Sequence, residues 1–486
     1  MSDIFDQYEP VIGLEIHAQL LTQTKAFCGC KAAMSDFPNT HVCPICLGHP
    51  GALPVMNKQH VNMAILMGLA THCSIRTRSA FSRKNYFYPD LSKGYQITQF
   101  EDPICYAGSV EIEQEDGSVK HIGITRIHIE EDAGKSLHDI DIDTLVDYNR
   151  AGMPLIEIVS EPDMHSASEA YKYMVSMRQI LRYLGICDGN LEEGSLRCDA
   201  NISVRKKGIK AFGIRTEIKN LNSFRNVEKA IKFEIVRHIE LLESGGTVKQ
   251  VTMQWDASTQ STKELRSKEQ AHDYRYFPEP DLGYILVTQD MLHDATMLLP
   301  ELPLAMKQRL SHDYGIPYYD AGILTEDKSL ANFFEKTCLQ LSVKDKERYK
   351  LVCNWILTEI LKILSDKKIS INEAITISSK GIAEIVDLFA DEKISSKIAK
   401  EVFSHIVQTG ESPLQYVESK NLQQISDEHI IAEFVNSALN GEAENIEKYR
   451  AGKSNLMGYF ISKVMKISNG KANPRMVNDL LNQQLM

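Results

Sequence analysis

The segment VIGLEIHA, residues 11–18, alternates apolar and polar side chains along most of its length. In an extended strand the residues at positions 12, 14, 16 and 18 point to one side, and Glu15 and His17 point to the other. Such a strand buries one face and leaves ionisable groups on the opposite face. The segment therefore predicts a half-buried β-strand that carries part of a polar site.

Two later segments repeat this alternation on either side of a basic turn. They are CDANISVR (198–205) and IRTEIKN (214–220), joined by KKGIKAFG (206–213). Each places apolar or small residues on one side and polar residues, among them Asp199, on the other. We expect an antiparallel hairpin with one core face and one charged face.

Helix signals follow at three places. Ser166 and Glu169 have the spacing of a capping box, and the helix they open should stop at Gly185. Either Asn222 or Ser223 should open a second helix, which ends at the glycine pair 245–246. Ser395 should cap a third helix, with Gly410 at its end.

The distribution of these patterns predicts an α+β protein of three regions. Residues 1–295 should form a mixed α/β domain with an antiparallel sheet. Residues 296–405 should form an all-helical domain, and residues 406–486 a small helical tail domain. The Pro-rich segment LLPELPLAMKQRL (298–310) and the turn TGESP (409–413) lie near the two boundaries.

The bulk composition is that of a globular protein without a membrane span. The 486 residues are 43% hydrophobic and 24% charged, and no run of 18 apolar residues occurs. The first residues, MSDIFDQYEP, show no secretory or import pattern, so we expect a cytoplasmic protein. The net charge of −11 means that any contact with nucleic acid must come from a local basic patch.

Four of the ten cysteines cluster in one loop, residues 28–46. The pairs Cys28-x-Cys30 and Cys43-x2-Cys46 suit a structural Zn2+ held by four thiolates. His41 or His49 could replace one thiolate, and four unconnected thiols are the alternative interpretation. A closed site of this type would shape the loop and would not catalyse a reaction.

Carboxylates and imidazoles recur within apolar strand segments. For any one of these residues, the alternative interpretation is a solvated carboxylate at a strand end or a hydrogen-bonded histidine in the core. Several carboxylates placed together repel each other unless a cation lies between them, which favours Mg2+. The candidates are Glu15, His17, His128, Glu130, Glu131, Asp132, Glu157 and Asp199.

A basic and aromatic segment, SRKNYFY (82–88), precedes YQITQ (95–99). Arg83 and Lys84 could hold phosphate oxygens, while the aromatic rings could stack on a base or a terminal adenosine. An ordinary strand with aromatic residues in the core is the alternative. Gly134-Lys135-Ser136 is not the end of a P-loop, because Ile129 occupies the position of the first glycine.

The tail contains a second basic feature. Seven basic residues and no acidic residue lie between Lys448 and Arg475. We expect this segment to contact a phosphate backbone, and a solvated helix face is the alternative. The lysines that we assign to this contact are Lys453, Lys463, Lys466 and Lys471.

Taken together, the motifs closely resemble the B subunit of the heterotrimeric GatCAB amidotransferases. The resemblance runs in order along the whole chain, and no large insertion interrupts it, which favours the bacterial form. The motifs are VIGLEIHAQL, CPICLGHPGALPVMN, FSRKNYFYPDLSKGYQITQ, IHIEEDAGKS, DYNRAGMPLIEIVSEPD, LEEGSLRCDANISVR, EIKNLNSFRNVEKAI and DYRYFPEPDL.

The resemblance implies a fold and an activity. The fold is a cradle-shaped α/β catalytic domain, a helical domain and a tail like that of the YqeY proteins. The activity is the ATP-dependent phosphorylation of the side-chain carboxylate of Glu-tRNA(Gln) or Asp-tRNA(Asn), followed by amination. Ammonia would come from a glutaminase A subunit, a C subunit would clamp the pair, and the cognate synthetase is a further candidate partner.

The resemblance also implies site residues. The family's metal residues fall on Glu15, His17, Glu131 and Glu157, with Glu130 and Asp199 near the same site. Strand alternation alone does not decide between Glu130 and Glu131. Zinc ligands occur in some members and not in others, so the cysteine site is expected to be structural.

Two rival hypotheses remain at this point. One is a self-contained carboxylate ligase that uses free ammonia and needs no partner. The other is a zinc-stabilised RNA-binding scaffold without catalysis, in which ATP hydrolysis would not depend on the carboxylates.

Overall fold

A computed structural model describes residues 2–33, 35–138, 140–265, 274–374, 376–425 and 427–485. The chain forms two compact units, Met1–Pro303 and Leu304–Met486. The first boundary therefore lies shortly after the predicted residue 295. The predicted division at residue 405 falls within the second unit and stays a prediction.

The first unit contains most of the strands. In chain order the strands are β1 (Tyr8–Gln19), β2 (Ser74–Ile75), β3 (Arg78–Ser79), β4 (Ser82–Asn85), β5 (Tyr95–Thr98), β6 (Cys105–Glu113), β7 (Val119–Glu131), β8 (Lys135–Leu137), β9 (Leu145–Asp147), β10 (Pro154–Ser160), β11 (Leu196–Lys206), β12 (Thr216–Lys219), β13 (Thr252–Asp256), β14 (Ser261–Glu264), β15 (Phe277–Pro278) and β16 (Ile285–Leu286). Its helices are α1 (Ser2–Phe5), α2 (Lys58–Ala70), α3 (Ala167–Leu184), α4 (Phe224–Glu243) and α5 (Gln289–Leu298).

The largest sheet has nine strands within the described ranges, in the order β14-β13-β12-β11-β1-β10-β7-β6-β2. Strands β1, β10 and β7 pair in antiparallel fashion at its centre. The hairpin of β11 and β12 is antiparallel, as predicted. Strands β12 and β13 are parallel, because the chain between them crosses over through α4.

One face of this sheet is covered by helices. Alternate residues of β1, such as Ile12 and Ile16, are fully buried in a core shared with α2, α3 and α4. Ile156 and Ile158 of β10 belong to the same core. The intervening polar residues must therefore point to the opposite face, which is where the candidate site lies.

A second, three-stranded sheet has the order β15-β4-β5. Its register pairs Lys84 with Gln96 and Ser82 with Thr98. Alternation then places Lys84, Gln96 and Thr98 on one face of this sheet, and Arg83, Tyr95 and Ile97 on the other. The two faces of this sheet therefore present different side chains to their surroundings.

The regular elements that the structure describes in the second unit are helices. Its helices are α6 (Pro303–Tyr314), α7 (Tyr318–Leu324), α8 (Lys328–Gln340), α9 (Lys346–Trp355), a π-helical turn (Ile356–Ile360), α10 (Leu361–Lys367), α11 (Ser379–Ala390), α12 (Ser396–Thr409), α13 (Pro413–Ser419), α14 (Glu428–Leu439), α15 (Ala443–Arg450), α16 (Leu456–Ile467) and α17 (Pro474–Leu485). Helices α14, α16 and α17 share a small core that includes Val435, Phe460 and Leu481. The predicted fold class, a mixed α/β region with an antiparallel sheet and then helices, is confirmed.

The predicted helix ends are confirmed at each position tested. The hydroxyls of Ser166, Ser223 and Ser395 cap α3, α4 and α12, so Ser223 and not Asn222 opens the second helix. Gly185 and Gly410 end their helices in the left-handed conformation, which costs glycine least. None of the helices described is both long and apolar enough to cross a lipid bilayer.

Candidate active site

A row of ionisable side chains crosses three central strands of the large sheet. The register places His17 of β1 opposite Glu157 of β10, and Glu157 opposite His128 of β7. Directly opposed residues have their side chains on the same face, here the face away from the helices. Glu15 and Glu130 lie two positions from His17 and His128 and share that face.

The side chains of this cluster are in contact. The Nε2 atom of His17 lies 3.2 Å from Glu157 Oε2 and 3.7 Å from Glu15 Oε1. The Nε2 atom of His128 lies 3.4 Å from the same Glu157 oxygen and 3.6 Å from Glu130 Oε2. Glu157 is thus the shared member of two groups, and we call these five residues the carboxylate cluster.

Burial and charge shift the pKa values of the cluster strongly. Burial opposes the charged forms of Glu130 and Glu157, but nearby cationic groups outweigh it and lower the pKa of both carboxyls. Burial also opposes protonation of His128, yet the charges of Glu157 and Glu130 raise its pKa to about 9. Burial and the charge of Glu157 raise the pKa of Glu15. The buried carboxylates of the cluster are therefore balanced by cationic groups beside them, Lys84 for Glu130 and His128 for Glu157.

The spacing of the donor atoms suits hard divalent cations. An octahedral Mg2+ holds its ligands at about 2.0–2.1 Å, which places neighbouring ligand atoms about 3.0 Å apart and opposite ones about 4.2 Å apart. The donor atoms of Glu15, His17 and Glu157 all lie within 4.8 Å of one another, as do those of His128, Glu130 and Glu157. The donor spacing of both groups is thus compatible with a bound divalent cation.

Asp199 lies at the margin of the carboxylate cluster. It is opposite Glu15 in the register, on β11. Its Oδ2 atom accepts a hydrogen bond of 2.7 Å from Lys219 Nζ. Its charge is therefore already partly neutralised by a lysine.

Glu131 points to the other side of β7, the side of the core residues Ile127 and Ile129. Its Oε1 atom accepts hydrogen bonds from Lys93 Nζ at 2.6 Å and from the Ile97 amide at 2.9 Å. Of the predicted metal residues, the structure thus brings Glu15, His17, Glu130 and Glu157 together, and His128, also a candidate from the sequence, joins them. The structure does not bring Glu131 to the same cluster.

The side chain of Glu131 instead lines a separate pocket of about 260 Å³. Arg83, Lys93 and Tyr95 form one part of its wall, and the cysteine loop forms another. Gly48 of that loop has a φ of +69°, and a Cβ atom there would meet Lys93 Cγ at 2.8 Å. The loop and Lys93 are therefore packed closely together.

The two predicted phosphate residues face different sites. Lys84 lies near the carboxylate cluster: burial disfavours its charge, but Glu130 and Glu157 outweigh this and raise the pKa of its ammonium group. Arg83 lies on the other face and forms a bidentate ion pair with Glu279, at 2.7 and 2.9 Å. It also contacts Asp281 at 2.9 Å, so its positive charge is already paired with two carboxylates.

The four clustered cysteines converge. Their sulfur atoms all lie within 4.8 Å of one another. Tetrahedral Zn2+ with Zn–S bonds of about 2.3 Å places sulfurs about 3.8 Å apart, and the Cys43 and Cys46 sulfurs are 3.9 Å apart. Cys28, Cys30, Cys43 and Cys46 therefore fit the predicted zinc site without a histidine.

A buried lysine accompanies the thiols. Lys25 is fully buried, with its Nζ atom 3.8 Å from Cys46 Sγ and 3.3 Å from the Tyr148 carbonyl. His41, considered above as a ligand, contacts the Ala33 carbonyl through Nδ1 at 3.0 Å. Nothing in the sequence singled out Lys25, because a lone lysine is most often a surface residue.

The four predicted tail lysines differ in their surroundings. Lys463 contacts Glu442 Oε1 at 2.6 Å, and Lys471 donates to the Asn421 carbonyl at 2.8 Å. Lys453 and Lys466 are exposed, and the structure records no ion pair for either among the residues it describes. These two are the best placed for an outside partner.

Two groups that shape the site carry little or no signal in the sequence. Lys93 stands alone in a turn, so no pattern marked it. Gln96 and Thr98 were marked only as part of a polar strand, yet both donate to Glu130, at 2.7 and 3.1 Å. Strand alternation on β5 was their only available signal.

Comparison with known proteins matches the chain to two family models and to named relatives. The model for the GatB/GatE catalytic domain matches residues 10–293, and that for the GatB domain matches residues 332–485. A protein of Thermodesulfovibrio yellowstonii, named as the B subunit of an aspartyl/glutamyl-tRNA(Asn/Gln) amidotransferase, is 50% identical over 475 residues, covering 98% of both chains. Proteins of the same name from Chlorobium phaeobacteroides and Geotalea uraniireducens are also 50% identical, over 478 and 483 residues, and cover 98–99% of this chain and 99% of their own.

Proposed function

The chain belongs to the GatB family of aminoacyl-tRNA amidotransferase B subunits, and from this premise we propose that it performs the ATP-dependent half of the amidation. It acts in a heterotrimer with a glutaminase A subunit and a C subunit. Its substrate is a tRNA misacylated with glutamate or aspartate. The side-chain carboxylate is phosphorylated by ATP, ammonia from the A subunit displaces the phosphate, and the product is Gln-tRNA(Gln) or Asn-tRNA(Asn).

The observation that carries this proposal is the carboxylate cluster. A carboxylate substrate and the γ-phosphate of ATP are both anions, and a protein that joins them must neutralise their repulsion. Mg2+ bound at Glu15, His17, His128, Glu130 and Glu157 would supply that neutralisation. The converging donors on neighbouring strands form a site of the right ligand type for it.

Lys84 supports the same role. Its ammonium group is held in its charged form next to the carboxylate cluster, so it can bind a phosphate oxygen. Arg83 is less suited to this, because its guanidinium is already paired with Glu279 and Asp281. We therefore assign phosphate binding to Lys84 and a structural ion pair to Arg83.

Glu131 was predicted as a metal ligand, and we propose a different role for it. Its hydrogen bonds to Lys93 and the Ile97 amide orient β5, whose residues Gln96 and Thr98 hold Glu130. Glu131 then supports the carboxylate cluster from behind the strand. Its loss would act through the position of Glu130.

The test follows phosphate release from ATP by the assembled heterotrimer, with and without misacylated tRNA. Glu157→Gln should lower tRNA-dependent phosphate release and amidation by at least about 100-fold, the size expected when a preorganised electrostatic contact is lost. Glu111→Gln, which changes an exposed carboxylate on β6 of the same sheet, serves as the matched control and should leave both rates unchanged.

The same experiment separates the rival hypotheses. A non-catalytic scaffold requires that Glu157→Gln leaves phosphate release unaltered, and that result would refute our proposal. A self-contained ligase requires that the isolated chain amidates fully with ammonium salt. We expect the isolated chain to be much less active than the heterotrimer.

A further inference from the structure

The three-stranded sheet of β15, β4 and β5 faces the carboxylate cluster with one side. Gln96 and Thr98, on that side, both donate hydrogen bonds to the Glu130 carboxylate. Lys84, opposite Gln96 in the register, lies on the same side. This sheet therefore forms a wall beside the cluster, and the wall carries the cationic side chain of Lys84.

Aromatic rings continue this wall away from Lys84. The Lys84 Nζ atom lies 5.1 Å from the centre of the Tyr274 ring. Tyr274 meets Tyr276 edge to face, with ring centres 6.1 Å apart. Tyr276 stacks on Phe100 with ring centres 4.1 Å apart and an angle of 7° between the planes. The rings thus form one continuous series from Lys84 to Phe100.

Phe100, at the outer end of the series, is not a core residue. It is 46% exposed, although one face of its ring is covered by Tyr276. An aromatic ring held in place by a neighbour and open on its other side is a ready surface for another flat ring. Exposed stacking faces of this kind bind nucleobases of any sequence in other nucleic-acid-binding sites.

We propose that Phe100, backed by Tyr276, stacks on the adenine ring of an adenosine whose phosphate end lies toward Lys84 and the carboxylate cluster. The inference rests on the proposed function, which brings two adenosines to this region: that of ATP and the terminal adenosine of the acylated tRNA. Both present the same chemistry, a purine joined through ribose to phosphate. The site also supplies a way of holding the nucleotide in a chain that has no P-loop motif.

The first test measures nucleotide affinity and kinetics of the heterotrimer with Phe100→Ala. The KM for ATP or the KM for misacylated tRNA should rise by roughly 5- to 100-fold, the range for loss of one base–aromatic stack. A rise in the ATP value assigns the site to ATP, and a rise in the tRNA value assigns it to the terminal adenosine. The kcat should change less than about twofold, because the reacting groups are untouched. If neither KM rises, the inference is wrong.

Controls separate stacking from general damage. Phe100→Trp should restore the affinity, since a larger ring stacks at least as well. Phe212→Ala removes another exposed aromatic ring, 65% exposed and in the connection between β11 and β12, and should have no effect. Inhibition by inorganic tripolyphosphate should be unchanged in Phe100→Ala, because that probe has no base. An equal loss of tripolyphosphate inhibition would overturn the assignment to base stacking.

Equilibrium binding distinguishes failure of this inference from failure of the proposed function. ATP binding to the heterotrimer can be measured without turnover. If Phe100→Ala binds ATP and tRNA normally while Glu157→Gln abolishes amidation, the stacking site is refuted and the function stands. If Phe100→Ala weakens binding while Glu157→Gln leaves amidation intact, the stacking site stands and the function is refuted.

Discussion

Lys25 is the only fully buried lysine among the residues that the structure describes. A buried ammonium group is costly unless an anion lies beside it. Its neighbours are the Cys46 sulfur and the Tyr148 carbonyl, and a carbonyl alone carries no net charge. Four thiolates around one Zn2+ carry a net charge of about −2, so a bound zinc site supplies the anion that Lys25 needs.

Replacing Lys25 with methionine should therefore weaken zinc binding. We expect the zinc affinity to fall roughly 10- to 100-fold, as for other residues that support metal ligands from outside the coordination sphere. Competition with a chromogenic chelator measures this directly. Lys31→Met, an exposed lysine in the same loop, is the control and should bind zinc normally. Unchanged zinc affinity together with higher thermal stability in Lys25→Met would show that the lysine is merely a buried charge.

At the residue scale the sequence predicted some positions and left others open. Alternation placed Glu15 and His17 on one face, and the structure confirms it. The alternation could not decide whether Glu130 or Glu131 lies on that face, because a shift of one residue exchanges the two faces of a strand. The pairing of His128 with Glu157 decides the face, and that pairing depends on a partner strand which is distant in sequence.

At the scale of elements, one buried carboxylate joins α4 to two strands. Glu234 of α4 accepts hydrogen bonds from Thr216 at 3.0 Å and from Thr262 at 2.5 Å, on β12 and β14. Arg237 donates to both of its oxygens, at 2.8 and 2.7 Å. This contact fixes the outer strands of the large sheet to the helix that connects them.

Replacing Glu234 with alanine should loosen these strands. Loss of one partner of a buried pair costs about 3–5 kcal/mol, because the remaining polar groups lose their partner. Urea unfolding of a Trp355→Phe background, followed by the fluorescence of Trp255 on β13, should show a midpoint at lower urea. Glu240→Ala, an exposed position on the same helix, should leave the midpoint in place. An unchanged Trp255 transition in Glu234→Ala would contradict this role.

The sequence predicted where helices begin and end better than it predicted which strands pair with each other. Serine caps and terminal glycines act within one helical turn, so local sequence is enough to place them. The parallel pairing of β12 with β13 was not predicted, because it depends on how α4 returns the chain to the sheet. The three-stranded sheet was missed for the same reason, since β15 reaches β4 from almost two hundred residues away along the chain.

At the scale of the whole molecule, charge is distributed unevenly. The chain carries a net charge of −11, yet residues 448–475 contain seven basic residues and no acidic one. The sequence identified this segment but could not rank its lysines, because their partners, such as Glu442 and Asn421, lie outside the segment. Glu442 forms an ion pair with Lys463, while Lys453 and Lys466 are exposed.

The double change Lys453→Glu and Lys466→Glu should therefore weaken tRNA binding to the heterotrimer without harming catalysis. Loss of two phosphate contacts should lower the slope of log affinity against log salt by about 2, since each contact releases about one counterion. Filter binding over a salt series measures the slope, and amidation at saturating tRNA should stay near the unmodified rate. Lys362→Glu with Lys397→Glu, two exposed lysines of α10 and α12, changes the net charge equally and controls for long-range repulsion. If both pairs lower affinity and slope alike, the tail contacts no phosphate and acts only through total charge.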